Sequence, residues 1–558
     1  MPDASVRVSH LNFAWPDGSP VLDDLSFNLG PLRTGVVAPN GAGKSVLLRL
    51  LAGRLAPQSG HIAVRGRVGY LPQHLSFDGK TSVADLLGVT TRLDALARIA
   101  EGEVRPELFE AVGDDWDLHE RAAAALARTG LMGVSLQRPL ATFSGGEAIW
   151  LALAAQLLQQ PDVLLLDEPS NNLDSTARQR LYGLFDDWAG CLVVASHDRE
   201  LLTHVDQIGE LRPSVLRLYG GGFDDYRDAV QVEQQAAEQT VRSLRQEVTR
   251  EKREEQQARE RTERRAGTAK RNLAGAGLPR IVAGNRKRAS EVAAGKSRQV
   301  HAERQDSARA RMNEAAEAVR GTPAVDLALP ATRVPSAKMI FEGSGLCVRP
   351  DGPAPDDDRR IDLMIRGPER IGLSGANGAG KTTLLRQIAG DLAPPSGRVR
   401  HGAGRVAWLS QRLDLLDPDS TVAEGLAHFA PQMPAPERAK LLARLQFRGE
   451  RMDLPIRALS GGERLRVVLA CVLHAEPAPQ LLLLDEPTNN LDLTTIAHLE
   501  QSLLAYQGAL VVVSHDEAFL DAIGLTRSVR LSEGRLIDDS NFFRGALGSL
   551  KRTATSVL

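Results

Sequence analysis

Residues 375–382 read GANGAGKT, and residues 38–45 read APNGAGKS. The later stretch follows Arg370-Ile-Gly-Leu-Ser, which has strand character, and opens into Thr382-Thr-Leu-Leu-Arg, which suits a helix. Its spacing, G-x-x-x-x-G-K-[ST], lets backbone N–H groups curl around phosphates at a helix N-terminus. Gly375, Asn377, Gly378, Ala379 and Gly380 form the cradle, with Thr383 just beyond it. Lys381 neutralises the terminal phosphates, and the Thr382 hydroxyl is placed to ligate Mg²⁺. The earlier copy supplies Asn40, Gly41, Ala42, Gly43, Lys44 and Ser45, but Ala38 replaces the leading glycine. Alanine fits there only at negative φ.

More of the chain is written twice. FSGGE at 143–147 recurs as LSGGE at 459–463, and VLLLDEPSNNLD at 163–174 recurs as LLLLDEPTNNLD at 481–492. ASHD at 195–198 recurs as VSHD at 513–516. The order is the same in both sets, so residues 1–222 and 336–545 read as two homologous domains. The runs 163–166 and 481–484 are apolar, have the length of buried strands, and end in two acids. An acid at the carboxyl end of a parallel strand reaches Mg²⁺ beside the phosphates, here Asp167 and Asp485 together with Ser45 and Thr382. The next acid, Glu168 or Glu486, orients or deprotonates the attacking water. A chance acidic turn would not recur with the same flanks.

SGGE followed by LLLDEP and SHD resembles the signature set of ATP-binding-cassette ATPases, across both halves of the chain. The fold expected is therefore α/β: two P-loop cassettes joined by a long α-helical hairpin. The resemblance implies a head-to-tail pair with two ATP sandwiched between the cassettes. One site would combine Lys44, Ser45, Gln73, Asp167, Glu168 and His197 with Ser460, Gly461 and Gly462. The other would combine Lys381, Thr382, Gln411, Asp485, Glu486 and His515 with Ser144, Gly145 and Gly146. SGG opens a helix, and its N–H groups suit a γ-phosphate arriving from the partner cassette. His197 and His515 each follow a strand, which favours γ-phosphate sensing over a structural histidine. Gln73 in YLPQ and Gln411 in WLSQ resemble the family's metal- and water-sensing glutamine. Trp15 resembles the aromatic that stacks on adenine, against the alternative of a core aromatic. No aromatic lies between Phe341 and Lys381, and SGGEAIWLALA lacks the basic residues of SGGERLRVVLA. The two sites are expected to be unequal.

Composition sets the class. The 558 residues are 25% charged and 42% hydrophobic, the balance of a globular chain rather than a disordered one. No apolar run approaches the roughly 20 residues of a bilayer span, and MPDASVRVSH has neither a basic nor an apolar leader region. The expected address is cytoplasmic, with no membrane partner. Cys191, Cys347 and Cys471 are scattered, which excludes a disulfide scaffold or a cysteine-rich metal site. The net charge of −2 hides an asymmetry, because residues 261–300 carry 11 basic and 2 acidic residues. Such an excess points to an acidic polymer, most often nucleic acid. A solvated helix face suits 241–265 better than 266–300.

The intervening segment 223–335 reads as helix from about Phe223 to Ala266 and again from Arg286 to Arg320. Asn272 to Asn285, rich in glycine and holding Pro279, breaks it into a hairpin. Around that tip lie Arg264, Arg265, Lys270, Arg271, Arg280, Arg286, Lys287, Arg288, Lys296 and Arg298. Many arginines and no aromatics favour the phosphate backbone of folded RNA. A coiled-coil spacer is the plain alternative. Gln73 to Ser144 spans 71 residues against 49 from Gln411 to Ser460, so an extra arm is expected at about 94–121. The tail, 546–558, is short. Two largely complete catalytic sets, NNLD in both halves and the charged connection resemble the ABC-F family, soluble tandem cassettes acting on ribosomes. The resemblance implies a monomer whose linker approaches the tRNA exit site and the peptidyl-transferase centre. Antibiotic-resistance ribosome protection is the leading expectation. A factor relieving stalled translation, a branched-DNA repair ATPase and a fused importer ATPase are the alternatives.

Overall fold

The computed structural model describes residues 4–75, 81–275, 307, 310–312, 329–348, 360–409, 415–489 and 491–538. The first cassette contains β1 (Ser5–Ala14), β2 (Pro20–Leu29), β3 (Arg33–Val37), β4 (Ser59–Arg65), β5 (Val68–Leu71), β6 (Val163–Asp167), β7 (Cys191–Ala195), β8 (Gln207–Arg212) and β9 (Val215–Gly220). The second repeats them as β10 (Met339–Leu346), β11 (Ile361–Arg366), β12 (Arg370–Ser374), β13 (Arg398–His401), β14 (Arg405–Leu409), β15 (Pro479–Asp485), β16 (Ala509–Val513), β17 (Arg527–Ser532) and β18 (Arg535–Asp538).

Each cassette has one six-stranded sheet, ordered β5-β6-β7-β3-β8-β9 in the first and β14-β15-β16-β12-β17-β18 in the second. All neighbours pair in parallel except the last, antiparallel, strand of each. A parallel sheet covered on both faces calls for continuous apolar strands. Every residue of β6, β7 and β16 is accordingly buried. Smaller antiparallel sheets, β2-β1-β4 and β11-β10-β13, complete the cassettes.

The strand order positions the chemistry. β7 lies between β6 and β3, with Ala195 opposite both Asp167 and Val36. The ends of β6, β7 and β3 are therefore level. Ligands of open α/β sheets bind beyond the carboxyl ends of such strands. In the second cassette Val513 pairs with Asp485 and with Leu373 in the same way.

By its internal contacts the chain divides into two units, Met1–Asp224 with Pro323–Leu558, and Asp225–Thr322. Both cassettes belong to the first. The second is built on the helix Phe223–Gly275, in which no described side chain is buried. That helix runs nine residues past Ala266, into the stretch where the glycines predict its end. Ala, Arg, Lys and Leu around Gly267 are good helix formers, and one glycine costs only about 1 kcal/mol. Ser307 and residues 310–312 are helical, and Arg311 donates to Glu247 at 2.8 Å, so the chain has turned back along the helix. Two helices, Thr90–Ala100 and Pro106–Val112, lie between Val83–Leu87 and Leu118–Arg128, where the second cassette has only Val422–Phe429 and Ala435–Arg444.

Candidate functional site

The loop 375–380 ends at Gly380, whose φ of +104° turns the chain into the helix Lys381–Ala389. Lys381 Nζ donates to Gly375 O at 2.5 Å and lies 3.2 Å from His515 Nε2. In the first cassette Gly43, at φ +96°, opens Lys44–Leu51. Lys44 Nζ donates to Ala38 O at 2.8 Å and lies 2.7 Å from His197 Nε2. Ala38 is buried and keeps negative φ, the condition under which alanine fits. Gly375 differs: its φ is +150°, and a Cβ there would stand 2.4 Å from Leu531 O.

Beside each loop a hydroxyl meets a carboxylate. Ser45 donates to Asp167 Oδ1 at 3.0 Å, and Thr382 to Asp485 Oδ2 at 2.8 Å. Asp167 Oδ2 is buried without a hydrogen-bond partner among the described residues. Burial pushes the carboxyls of Asp167 and Asp485 up. An orphaned carboxylate beside a hydroxyl suits a small divalent cation that keeps water and phosphate as its other ligands.

Glu168 and Glu486 take φ of +49° and +48°, a region that residues other than glycine rarely adopt. Pro169 and Pro487 disfavour the right-handed helical alternative, and Glu168 N–H and Glu486 N–H donate to Ala195 O and Val513 O at 2.8 and 2.9 Å. Each carboxylate lies near its histidine, 3.5 Å for Glu168 and His197, 3.4 Å for Glu486 and His515. Burial raises the carboxyl of Glu168 and lifts that of Glu486 to about 7. Burial and the adjacent lysines depress both histidines to about 3, so the rings are neutral.

The cassettes meet at these loops. A cavity of about 480 Å³ is lined by Lys381, Thr382, Thr383, Asp485, Glu486 and His515 from one cassette and by Ser144, Gly145 and Gly146 from the other. Asn377 Nδ2 donates to Asn172 O at 2.9 Å, and Asn172 O lies 3.5 Å from where a Cβ on Gly146 would stand. On the other side Asn40 N–H donates to Asp492 Oδ2 at 2.9 Å. Asp492 also caps Thr495, against which Gly462 packs.

The ABC transporter family matches residues 22–171 and 359–489, both cassettes. The tylosin resistance ATP-binding protein of Streptomyces fradiae is 34% identical over 530 residues, 90% of this chain and 92% of that one. The energy-dependent translational throttle protein of Mycobacterium tuberculosis is 32% identical, over 90% of this chain and 87% of its own. The chain belongs to the ABC-F family. It is a tandem-cassette, nucleotide-binding ATP hydrolase. The fold resembles that of the archaeal ribosome recycling factor, at a TM-score of 0.55 and 19% identity, covering 97% of this chain and 92% of that one. Among the described residues no helix is long and apolar enough to cross a membrane.

In this ABC-F chain Ser144 and Ser460 cap the helices Gly145–Leu158 and Gly461–Leu473, each in a reciprocal box with Glu147 or Glu463. Their hydroxyls donate to those glutamates at 2.8 Å. Trp15 sits in the β1–β2 turn, 38% exposed and edge-on to Phe13. The same hairpin reaches the phosphate loop through Val21, beside Gly43. Gln73 is half-buried two residues beyond β5. Gln411 lies outside the described residues, as do Arg280, Arg286, Lys287, Arg288, Lys296 and Arg298. Arg264 is exposed on the long helix, and Arg265, Lys270 and Arg271 follow on its backbone.

Sequence reasoning missed Arg178. It lies at the cassette junction, 8% exposed, on the helix Ser175–Asp186. The available signal was a mismatch between the repeats, because the residue four beyond Asp492 is Ile496.

Proposed function

We propose that this protein is a ribosome-binding ATPase that binds and hydrolyses two ATP between its cassettes. Its basic linker enters near the tRNA exit site and the peptidyl-transferase centre, and the outcome is ribosome protection against an antibiotic. The observation that carries the ATP reading is the cavity in which Lys381, Thr382 and Glu486 face Ser144, Gly145 and Gly146 across the cassette junction. The ribosomal reading draws on the basic excess of 261–300 and on two relatives named for a throttle on translation and for resistance to tylosin. The first of those names equally favours a factor that relieves stalled translation. A ribosome partner places the protein in the cytoplasm.

In each site the loop amides and Lys44 or Lys381 bind the phosphates, with the helix N-terminus adding its positive end. Trp15 stacks on adenine in the first site. Ser45 with Asp167, and Thr382 with Asp485, would hold Mg²⁺, which neutralises phosphate charge when bound. Glu168 and Glu486 orient the attacking water, helped by Gln73 and Gln411. His197 and His515, kept neutral, would each donate a ring N–H to the γ-phosphate without adding charge. Ser144 to Gly146 and Ser460 to Gly462 complete each site from the opposite cassette, so hydrolysis requires closure.

The test is ATP-dependent co-sedimentation of a Glu168→Gln, Glu486→Gln variant with bacterial ribosomes, with and without residues 266–300. Retention that needs both ATP and this tip is expected. No retention at low salt and saturating ATP would overturn the reading in favour of branched DNA or an importer partner.

A further inference from the structure

Arg178 joins the two cassettes through their switch loops. Its Nε donates to Leu173 O at 3.3 Å, which fixes the stem of the side chain. Its Nη1 donates to His515 O in the second cassette at 3.4 Å and stands 3.4 Å from Asp198 Oδ2 in the first. Asp198 follows His197 and is itself held by the Tyr182 hydroxyl at 3.0 Å. The guanidinium lines the cavity of the second site together with Lys381, Glu486 and His515. The mirrored position is Ile496, 2% exposed and packed in the apolar core of the second cassette. Ile496 has no donor to offer the His197 loop from the opposite cassette; Arg178 borders the small cavity of Glu168 and His197 too, but from within their own cassette.

We propose that Arg178 is a positioning residue chiefly for the second ATP site, where it holds the His515 switch loop from the opposite cassette and sets a fixed cation in the cavity of Glu486. The two sites are therefore built unequally at their junction. Burial opposes the charge of Arg178, and Asp198, Glu486 and Asp516 around it outweigh that and keep the guanidinium protonated. An arginine fork suits this place because its several donors are rigidly arranged, so one group serves a carbonyl and a carboxylate at once.

The assignment rests on the reading of Glu168 and Glu486 as the water-orienting residues, and the experiment separates the two. Single-turnover ATP hydrolysis by the full chain is measured with Glu168→Gln, which leaves the second site, and with Glu486→Gln, which leaves the first. Arg178→Ile is expected to slow the second site about 10- to 100-fold, the range of a misplaced catalytic loop. The same change is expected to alter the half-saturating ATP concentration by less than about threefold, since Arg178 holds the switch loop and not the phosphate cradle, and to slow the first site at least about fivefold less than the second. Arg178→Lys should recover part of the rate, whereas Arg178→Gln, close in shape but uncharged, should not. Equal loss at both sites would mark Arg178 as a structural contact and overturn the proposal, as would an unchanged rate at the second site. If both glutamine backgrounds hydrolyse at the unmodified rate, the roles of the glutamates fail first, and the positioning role with them.

Discussion

Glu486 carries a carboxylate at the end of a buried strand, where its ionised form is poorly solvated. Its pKa is moved by burial from 4.5 to about 7. A raised acid leaves the folded protein fully stable below the ordinary value, and stability is lost as pH climbs through the folded one. Glu486→Gln should therefore change little at pH 4.5 and stabilise increasingly towards pH 7. Above that the gain is about 3 kcal/mol, since each tenfold change in acidity is worth about 1.4 kcal/mol. Thermal denaturation of the nucleotide-free protein across this range reads the effect, and a pH-independent gain would refute it. Hydrolysis at the second site should fall as pH drops through about 7, because the protonated acid can no longer take a proton from the attacking water. A second residue-scale contrast concerns the two loops. Gly375→Ala forces a Cβ against Leu531 O at φ +150° and should cost about 1–3 kcal/mol. Ala38→Gly asks for no strained geometry and should cost no more than about 1 kcal/mol, largely through unfolded-chain entropy. Chemical denaturation of the two variants checks the difference, and equal losses would sink it.

At the scale of elements the cassettes and the long helix are stabilised differently. β6 and β7 are buried on both faces, so their amides open only when the sheet does. The helix Phe223–Gly275 carries no buried side chain among those described and is supported by pairs such as Arg311 with Glu247, both partly exposed. Pairs of that kind contribute about 0.2–1 kcal/mol. Amides of residues 225–265 should exchange with solvent at least about a hundredfold faster than those of 163–167, a gap of about 3 kcal/mol in opening free energy. Comparable protection in the two peptides would contradict this account. The same contrast explains which elements were legible in the sequence. Continuous apolar runs such as 163–166 and 509–513 announce buried parallel strands, and repeated SGGE announces a capped helix. The helix end was less legible, because the glycines at 267 and 275 cost less than their neighbours contribute. The family resemblance implies which motifs face one another at the junction, but its individual contacts were hardly legible. Asn40 with Asp492, and Arg178 with His515 O, join residues hundreds apart whose pairing follows from how two cassettes meet. No local periodicity records that, although the substitution of Ile496 for arginine in the repeat does mark the place.

For the whole molecule, the proposed mechanism turns on closure of the cassettes. Among the described residues, hydrogen bonds across the junction near the sites join Asn40 with Asp492, Asn377 with Asn172, Arg178 with His515 O, and Arg199 with Glu500 at 2.8 Å. A hydrogen bond exchanged for water contributes about 0.5–1.5 kcal/mol net, and one to a charged group about 1.5–3, so these contacts amount to a few kcal/mol against the freedom of the two halves. A nucleotide bound by Lys381 and Thr382 and reached by Ser144, Gly145 and Gly146 has groups on both sides, and it supplies what the protein contacts lack. On the proposed reading the terminal phosphate matters most, because it would be the group that reaches from one phosphate loop to the opposite helix N-terminus. In the Glu168→Gln, Glu486→Gln variant, ATP should therefore raise Tm and lower the radius of gyration in solution scattering. The stabilisation should grow with concentration, reaching about 2.7 kcal/mol at a hundred times Kd. ADP should occupy the phosphate loops yet leave the radius near that of the nucleotide-free chain. Ser144→Arg, placing bulk and charge at one helix N-terminus, should abolish compaction by ATP while leaving ATP bound at the Lys44 loop. Equal compaction by ADP and ATP would show that the polar junction closes without the γ-phosphate, and the dependence of hydrolysis on closure would then lose its physical basis.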